Sequence, residues 1–275
     1  MRGIQKRAWA GLAIVVAASA GWHAVAQSPS GTSADSLEQR ARSSLGRGYI
    51  EAAVLPGSVR WSPPPPVAGS PAEARDEAAA RAAIALRDSA RWQLATRDAD
   101  LGAQASEAFS CAAGLDIGPD TTPKLEHLLR TAMPNLGLST MAIKSVYKRP
   151  RPFMVNGQPT CTPEAVEHLR LDGSYPSGHS AIGFGWGLIL AELIPTRAAA
   201  LVTRGRAFGD SRRICNVHWL SDTEEGRIAA AATVARLHAE PAFRADLEAA
   251  REELGQKLPS PSECSREQAA LAAGG

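Results

Sequence analysis

The sequence predicts a single all-α domain, compact and built around one central buried helix. Ala, Leu, Arg and Glu are abundant while aromatic residues make up only 5% of the chain, a composition that favours helix over sheet. No segment alternates apolar and polar residues as a half-buried strand would. The most uniformly apolar segment, Ala181–Leu193, follows a Pro-Ser-Gly-His turn, and we expect it to form the central helix.

The first 26 residues are predicted to be a cleaved secretory signal peptide. A basic start, an apolar segment and a small-residue cleavage site follow one another, in the order Arg2, Lys6 and Arg7, then Ala8 to Ala20, then Ala24 to Ala26. The alternative, a single membrane anchor, is disfavoured because the apolar segment is shorter than the ~20 residues that a span needs. We therefore expect a periplasmic or secreted protein.

Three further parts follow residues 1–26. Residues 27–60, rich in Ser, Gly, Ala and charge, are expected to be loosely ordered, residues 61–258 to form the folded domain, and residues 259–275 to be a polar tail. The domain opens with the proline-rich segment 61–71, which is either an exposed linker or an extended strap lying on the domain surface.

Periodicity, capping residues and prolines place the helices of the domain in order. The predicted helices cover residues 72–96, 101–112, 124–133, 136–148, 181–193, 196–208, 221–238 and 241–258, and a short helix begins at residue 162. Thr122 and Pro123 supply an N-cap and a first-turn proline for the third of these helices, and Pro134 is expected to end it. Residues 153–172 otherwise form a long loop, and loops of that length are usually functional.

Charge and cysteine content exclude several classes of function. Residues 1–26 hold three of the 30 basic residues and none of the 28 acidic ones, so the chain without them carries a formal charge of −1. This balance predicts neither a nucleic-acid partner nor binding to a membrane surface after signal cleavage. The four cysteines are not spaced as zinc ligands, and in an oxidising compartment they would form two disulfides.

Three segments carry the basic and imidazole groups that a phosphate-transfer site needs. The first runs from Lys144 to Pro152. Lys144 and Arg151 are seven residues apart, two helical turns, so both can point to one face if the helix persists that far. The competing interpretation is a solvated basic helix end beside prolines.

The second segment, Gly173 to Ser180, is a tight turn that leads into the central helix. The first N–H groups of that helix have no partner within it, and together with the helix dipole they form an anion site. His179 lies at the mouth of this site. The competing interpretation is a plain N-cap and turn at Ser177 and Gly178.

The third segment, Ser211 to Asp222, contains Arg212 and places His218 and Asp222 at positions i and i+4. That spacing lets the carboxylate hold one imidazole nitrogen and leaves the other free to attack an electrophile. A surface His–Asp pair or a helix cap would have the same spacing. The three segments together, in this order, favour the catalytic interpretation.

Together the segments resemble the type 2 phosphatidic acid phosphatase superfamily. Its pattern is Lys, six residues, Arg-Pro; then Pro-Ser-Gly-His; then Ser-Arg, five residues, His, three residues, Asp. Every position is filled, by Lys144, Arg151, Pro152, Pro176, Ser177, Gly178, His179, Ser211, Arg212, His218 and Asp222. Arg149-Pro150 competes with Arg151-Pro152, but only Arg151 has the required spacing from Lys144. Similarity over roughly residues 60–255 narrows the resemblance to the bacterial class A non-specific acid phosphatases.

This resemblance implies an acid phosphatase that hydrolyses a broad range of soluble, small-molecule phosphate monoesters without a metal or any other cofactor. His218 would be the nucleophile and form a phosphohistidine, Asp222 would orient it, and His179 would act as general acid and base. The phosphate would be bound by Lys144, Arg151, Arg212, the hydroxyl and N–H of Ser177, and the N–H of Gly178. Because both histidines start near pKa ~6.5 and work in opposite protonation states, activity should peak on the acid side of neutral.

Two alternatives come from the same superfamily: a vanadate-dependent haloperoxidase and a membrane lipid phosphatase. The second is disfavoured because no stretch after residue 26 has the roughly 18 apolar residues of a span. A non-catalytic phosphate-binding protein would need the cations but not His179, His218 and Asp222 together. Members of the class often associate, and the Ala-rich outer helices would permit a homo-oligomer.

Two questions about loops remain open in the sequence. Because the first and third segments must converge on one phosphate, a Cys161–Cys215 disulfide is geometrically reasonable and would leave Cys111 to join Cys264, yet three pairings are possible. Asp120 and Asp172 lie in loops, where they either shape turns or select substrates.

Overall fold

The computed structural model describes residues 45–51, residue 55 and residues 62–273. These residues form helices and no strands, which confirms the all-α prediction. The signal peptide, most of the segment 27–60 and Trp61 lie outside the described residues. Within the described residues, no helix is both long and apolar enough to cross a bilayer.

The helices are numbered here in chain order. They are α1 (Pro71–Ile84), α2 (Ala90–Arg97), α3 (Ser110–Ala113), α4 (Pro123–Leu138), α5 (Met141–Tyr147), α6 (Pro152–Asn156), α7 (Val166–Arg170), α8 (Gly178–Leu193), α9 (Ala198–Ile214), α10 (Leu220–Leu237), α11 (Pro241–Leu254) and α12 (Cys264–Ala272). Short 3₁₀ helices precede α3, α7 and α9, at Ala105–Phe109, Pro163–Ala165 and Pro195–Arg197.

Helix α8 is the centre of the fold, as predicted. It packs most extensively against α9 and α10, and it also contacts α4 and α11. Its Trp186 is fully buried between the rings of Phe109 and Phe208 and donates its indole N–H to the carbonyl of Leu129 at 2.8 Å. A helix that is apolar on all faces is stable only when other helices cover it, which explains this position.

Glycines let α8 lie unusually close to its two main neighbours. A Cβ atom at Gly205 of α9 would stand 2.7 Å from the carbonyl oxygen of Gly183, and one at Gly226 of α10 would collide with the carbonyl oxygen of Ser177. Both contacts are with backbone, which cannot move aside as a side chain can. The start of α8 is therefore held between α9 and α10, where the third predicted segment also lies.

Several predicted helix boundaries are wrong, each for a local reason. The expected helix 72–96 divides into α1 and α2, because Asp88 adopts a left-handed conformation (φ 63°) and Ser89 caps α2 by accepting the N–H of Trp92. Helix α4 continues through Pro134, which removes one hydrogen bond but lies on a helix face that is buried almost throughout. It ends where the hydroxyls of Ser139 and Thr140 donate back to helix carbonyls.

Two other helices differ in length from the prediction. The expected helix 101–112 is reduced to a 3₁₀ turn and the single turn α3, which ends at Gly114 with φ 76°. The expected helix 196–208 extends to Ile214, so that Arg212 lies on its last turn. This extension matters because it fixes Arg212 on a rigid element.

Chain segments outside the predicted helices also dock on the core. Residues 45–51, part of the segment expected to be loosely ordered, pack on α4: the backbone of Ile50 exchanges two hydrogen bonds with the side chain of Asn135. The proline-rich segment lies on the domain as a strap, since the carbonyl of Pro63 accepts the hydroxyl of Tyr175 at 2.8 Å. Part of the predicted polar tail folds as α12, whose Glu267 lies 3.3 Å from Arg204 of α9.

Candidate active site

A cavity of about 420 Å³ opens at the N-terminus of α8. Six of the eight predicted site residues line it, namely Lys144, Arg151, Gly178, His179, Arg212 and His218. The other two, Ser177 and Asp222, are fully buried directly behind it. The three predicted segments therefore converge on one cavity.

Lys144 and Arg151 meet in the cavity, but not as two turns of one helix. Helix α5 ends at Tyr147 because Lys148 turns left-handed (φ 45°), and Arg151 then lies in extended backbone as the N-cap of α6. Both side chains reach the carboxylate of Asp172, at 3.3 Å from Lys144 Nζ and 3.2 Å from Arg151 Nη2. The two side chains therefore meet although the helix does not persist to Arg151, the condition under which the sequence placed them on one face.

The two adjacent Arg-Pro pairs have different surroundings. Arg151 donates to the carbonyls of Leu169 and Val217, both at 2.9 Å, and its Nη1 lies 3.0 Å from His218 Nε2. Arg149 turns away from this cavity and bridges two buried carboxylates, those of Asp76 and Asp222, at 2.7 Å each. The geometry thus places Arg151 in the cavity and gives Arg149 a supporting position behind it.

Ser177 caps α8 and joins it to α10. Its hydroxyl oxygen accepts the N–H of Ser180 at 3.2 Å, and its own N–H donates to the carbonyl of Asp222 at 2.9 Å. The Ser177 N–H, which was predicted to bind phosphate, already serves this contact between helices. The N–H groups of Gly178 and His179 lie in the first turn, where a helix offers them no acceptor.

His179 is oriented by a backbone carbonyl. Its Nε2 lies 3.0 Å from the oxygen of Ala99, just beyond the end of α2. A carbonyl oxygen only accepts hydrogen bonds, so Nε2 carries the proton and Nδ1 is the nitrogen available for proton exchange.

Arg212 is a cavity cation with unused hydrogen-bonding capacity. Its side chain is buried, with only 3% of the residue exposed, and neither Nε nor Nη1 has a partner among the described residues. An unpaired buried guanidinium is unfavourable in free energy. An oxyanion in the cavity would supply the missing acceptors.

His218 and Asp222 form the pair that the i, i+4 spacing predicts. Asp222 Oδ2 lies 3.2 Å from His218 Nδ1 and accepts the N–H of Trp219 at 2.8 Å, so the carboxylate both caps α10 and holds the imidazole. Because Arg151 only donates, its contact with His218 Nε2 requires an unprotonated Nε2. His218 is therefore neutral, with its proton on Nδ1 and its lone pair on Nε2, which faces the cavity.

Burial and the cation cluster change the protonation equilibria of the site. Burial first, and then the charges of Arg151, Lys144 and Arg212, hold the pKa of His218 well below its usual value. Burial and the charge of Arg212 also hold the pKa of His179 well below its usual value, whereas the hydrogen bond with the Ala99 carbonyl acts in the opposite direction. Burial also lowers the pKa of Arg212 to about 9. Burial raises the pKa of the Asp222 carboxyl, and Arg149 opposes that rise.

Asp172 is a site residue for which the sequence left two interpretations open. Its carboxylate contacts two of the three cavity cations, and its backbone carbonyl accepts from Arg151 at 3.3 Å. The feature of the sequence that could have indicated this role is the position of Asp172 immediately before the Gly-Ser-Tyr-Pro turn. It acts on the cavity cations rather than serving only the turn.

The cavity also has an apolar side that sequence analysis missed. Its side chains come from five different parts of the chain, namely Leu45, Leu101, Met141, Leu169 and Ile182. No sequence spacing connects residues so far apart. His168, for which the motifs suggested no role, is an exposed residue at the same cavity.

Two disulfides are present. Cys161 pairs with Cys215, with 4.7 Å between their Cα atoms, and Cys111 pairs with Cys264, with 5.4 Å. Among the three possible pairings, this is the one that convergence of the first and third segments favoured. The first disulfide fixes the loop after α6 to the end of α9, and the second fixes α12 to α3.

Comparisons with known proteins agree with this geometry. Residues 127–243 match the family model described as PAP2 superfamily. The chain is 43% identical over 192 residues to the acid phosphatase of Zymomonas mobilis, covering 70% of this chain and 73% of that protein. It is 41% identical over 199 residues to the non-specific acid phosphatase of Salmonella typhimurium, covering 72% and 80% of the two chains. The chain belongs to the bacterial non-specific acid phosphatases.

A further relative supports this assignment at greater divergence. The non-specific acid phosphatase of Providencia stuartii is 37% identical over 210 residues, which cover 76% of this chain and 85% of that protein. Family membership confirms the resemblance drawn from the three motifs and places the chain among phosphoric monoester hydrolases. It favours the phosphatase over the haloperoxidase and lipid phosphatase alternatives.

Proposed function

We propose that this protein is an exported acid phosphatase that hydrolyses a broad range of soluble phosphate monoesters through a phosphohistidine on His218, without a metal ion. The observation that carries the proposal is the buried guanidinium of Arg212, whose Nε and Nη1 have no partner among the residues that the structure describes, in the same cavity as the unprotonated Nε2 of His218. The Arg212 guanidinium can bind a phosphate oxygen, and Nε2 of His218 can act as the nucleophile.

In the first step, Nε2 of His218 attacks phosphorus and the bond from phosphorus to the ester oxygen breaks. Throughout this step, Asp222 accepts a hydrogen bond from Nδ1–H of His218 and stabilises the positive charge that develops on the imidazole. The leaving alkoxide takes a proton from Nδ1 of His179, so an alcohol departs. The cations and the first N–H groups of α8 stabilise the charge on the equatorial oxygens.

In the second step, His179 is neutral and accepts a proton from water through Nδ1. The resulting hydroxide attacks phosphorus, the P–N bond breaks, and inorganic phosphate is released. His179 must therefore be protonated when substrate is bound, although its pKa is lowered in the empty site. The two negative charges of a phosphate monoester raise that pKa, so substrate binding itself prepares the acid.

Hydrolysis of p-nitrophenyl phosphate in excess EDTA tests both parts of this mechanism. The wild-type protein should keep its full rate in EDTA, and His218→Ala should lose at least about 10³-fold in kcat. His179→Ala should accumulate phosphorylated protein, because p-nitrophenolate leaves without a proton whereas the second step still needs a base. Loss of wild-type activity in EDTA would refute the metal-free mechanism, and a fully active His218→Ala would refute the nucleophile.

Export is proposed from the pattern of residues 1–26. Sequencing the N-terminus of the protein recovered from the periplasmic or culture fraction tests it. The expected result is a mature chain that begins after Ala26. Full-length protein retained in the cytoplasmic fraction would contradict it.

A further inference from the structure

The apolar side of the cavity adjoins the phosphate-binding side within a single space. The polar side is formed by the cations and histidines already described, while Leu45, Met141 and Ile182 contribute to the apolar side. The volume of about 420 Å³ lies within the range of sites for small organic ligands. A phosphate monoester bound at Arg212 has room beside it for the rest of its molecule.

Leu45, on the apolar side of the cavity, belongs to the chain segment that precedes the proline-rich strap. It lies on α4 at Gly137, where an added Cβ atom would stand 2.9 Å from Leu45 Cδ1 and 3.3 Å from Ile182 Cδ1. The absence of a side chain at Gly137 lets Leu45 and Ile182 lie side by side. They form a continuous apolar surface from two distant parts of the sequence.

The segment that carries Leu45 is fixed at several points. Asn135 makes two hydrogen bonds with the backbone of Ile50, and Ile50 is 4% exposed. The hydroxyl of Tyr49 donates to Asp246 at 2.7 Å, and its ring packs edge-on against Phe243 at 5.4 Å. These anchors on α4 and α11 hold Leu45 at the cavity without help from the active-site residues.

We propose that residues 45–51 complete a leaving-group subsite, with Leu45 as the residue that selects phosphate monoesters whose ester group is a flat aromatic ring. The proposal rests on the proposed function, since it assumes that the phosphate binds at Arg212. An aromatic ring has few rotatable bonds and a large apolar surface, so burying it against Leu45 and Ile182 is favourable at a small loss of conformational entropy. A glycerol or other polyol group would lose water contacts there without gaining hydrogen bonds.

Calorimetric binding of phenylphosphonate and methylphosphonate tests the subsite, because both compounds carry the same anion and neither is hydrolysed. Wild-type protein should bind phenylphosphonate about tenfold more tightly. Leu45→Ala should weaken phenylphosphonate about fivefold and leave methylphosphonate unchanged, since roughly one to two buried methylene equivalents are removed. Leu45→Gln, which keeps the volume but adds a polar group, should have the same selective effect.

Ile228→Ala is the matched control, because Ile228 is an apolar residue on α10 that is 54% exposed and does not line the cavity. It should leave both dissociation constants unchanged. Equal weakening of both phosphonates by the Leu45 variants, or no change in either, would overturn the subsite while leaving the phosphatase intact. Failure of the wild type to bind methylphosphonate would overturn the phosphate site itself, and the subsite with it.

Discussion

At the scale of single residues, the cavity cations differ in how many of their N–H donors are bonded to the protein. Arg151 donates to several protein acceptors and Lys144 is bonded to the carbonyl of Gly173, whereas Nε and Nη1 of Arg212 have no acceptor in the part of the chain that the structure describes. Carbonyl and guanidinium partners fix the proton positions of both histidines. These neighbours, rather than the histidines' intrinsic chemistry, give the two imidazoles different roles.

The dependence of activity on pH should follow from these two imidazoles. His218 must be neutral in the free enzyme, and its lowered pKa places the acid limb of kcat/KM below pH ~6.5. His179 must be protonated in the substrate complex, so kcat should fall as pH rises through its pKa in that complex. Steady-state kinetics on an alkyl phosphate, whose leaving alkoxide needs the proton from His179, should give a bell-shaped profile on the acid side of neutral. A rate that rises steadily above about pH 8 contradicts these roles.

Asp172 should weaken phosphate binding, because its carboxylate neutralises two cations that an incoming phosphate needs. Asp172→Asn removes that negative charge and should lower the inhibition constant of inorganic phosphate roughly threefold to tenfold near pH 7. Asp120→Asn, which changes an exposed loop carboxylate, is the control and should have no effect. An unchanged or higher inhibition constant in Asp172→Asn would show that its carboxylate does not compete with phosphate.

At the scale of the elements, the site depends on contacts between helices that are distant in sequence. The start of α8 is joined to α10 by the bond from Ser177 to Asp222, and Arg149 ties α10 to α1 through Asp76. Behind His179, Asp98 receives Arg204 and the hydroxyl of Ser211, which fixes the end of α2 to α9. Ser177, His179 and Asp222 are therefore each held by contacts with an element other than their own.

Arg149 and Arg151 should respond differently to replacement. Arg149→Met leaves the carboxylates of Asp76 and Asp222 without their shared cation and should lower the free energy of unfolding by about 3–5 kcal/mol. Arg151→Met should instead weaken phosphate binding at least about tenfold, since Arg151 lines the cavity. Urea unfolding and phosphate titration distinguish the two effects.

Arg81→Met, on the exposed surface of α1, provides the baseline for both measurements. The assignment of roles would be reversed if Arg149→Met retained full stability while losing phosphate affinity.

At the scale of the whole molecule, the two active-site histidines lower the free energy of unfolding at low pH. The pKa values of His179 and His218 are lower in the folded protein than the ordinary value of ~6.5. Between the two values, the unfolded chain binds more protons than the folded one, so stability is complete above pH ~6.5 and declines as pH falls. The function of the site requires this buried, cationic environment.

The double variant His179→Gln/His218→Gln should therefore show a shallower decline of stability with falling pH. Each histidine contributes about 1.4 kcal/mol per pH unit within its titration window. Urea unfolding between pH 5 and 7.5 measures the slope, and saturating inorganic phosphate should also reduce the wild-type slope, because its charge raises both pKa values. Identical slopes in the variant and the wild type would contradict the lowered pKa values.

The sequence by itself determined the fold class and the family of this protein. The spacing of Lys144, Arg151, His179, Arg212 and His218 predicted a phosphate site, and the apolar segment after Gly178 predicted the central helix. These features are readable because they are local: a motif lies within about ten residues, and helical periodicity repeats every 3.6 residues.

Only the tertiary structure decided which contacts hold the residues of the predicted phosphate site in place. It showed that the N–H of Ser177 is already bonded, that Arg149 supports Asp222 from behind, and that Leu45 forms part of the cavity wall. These properties depend on contacts between residues far apart in the chain, such as Arg149 with Asp76 or Arg91 with Ser211, 120 positions away. No local pattern encodes such pairs, because packing of the helices around α8 determines which side chains meet.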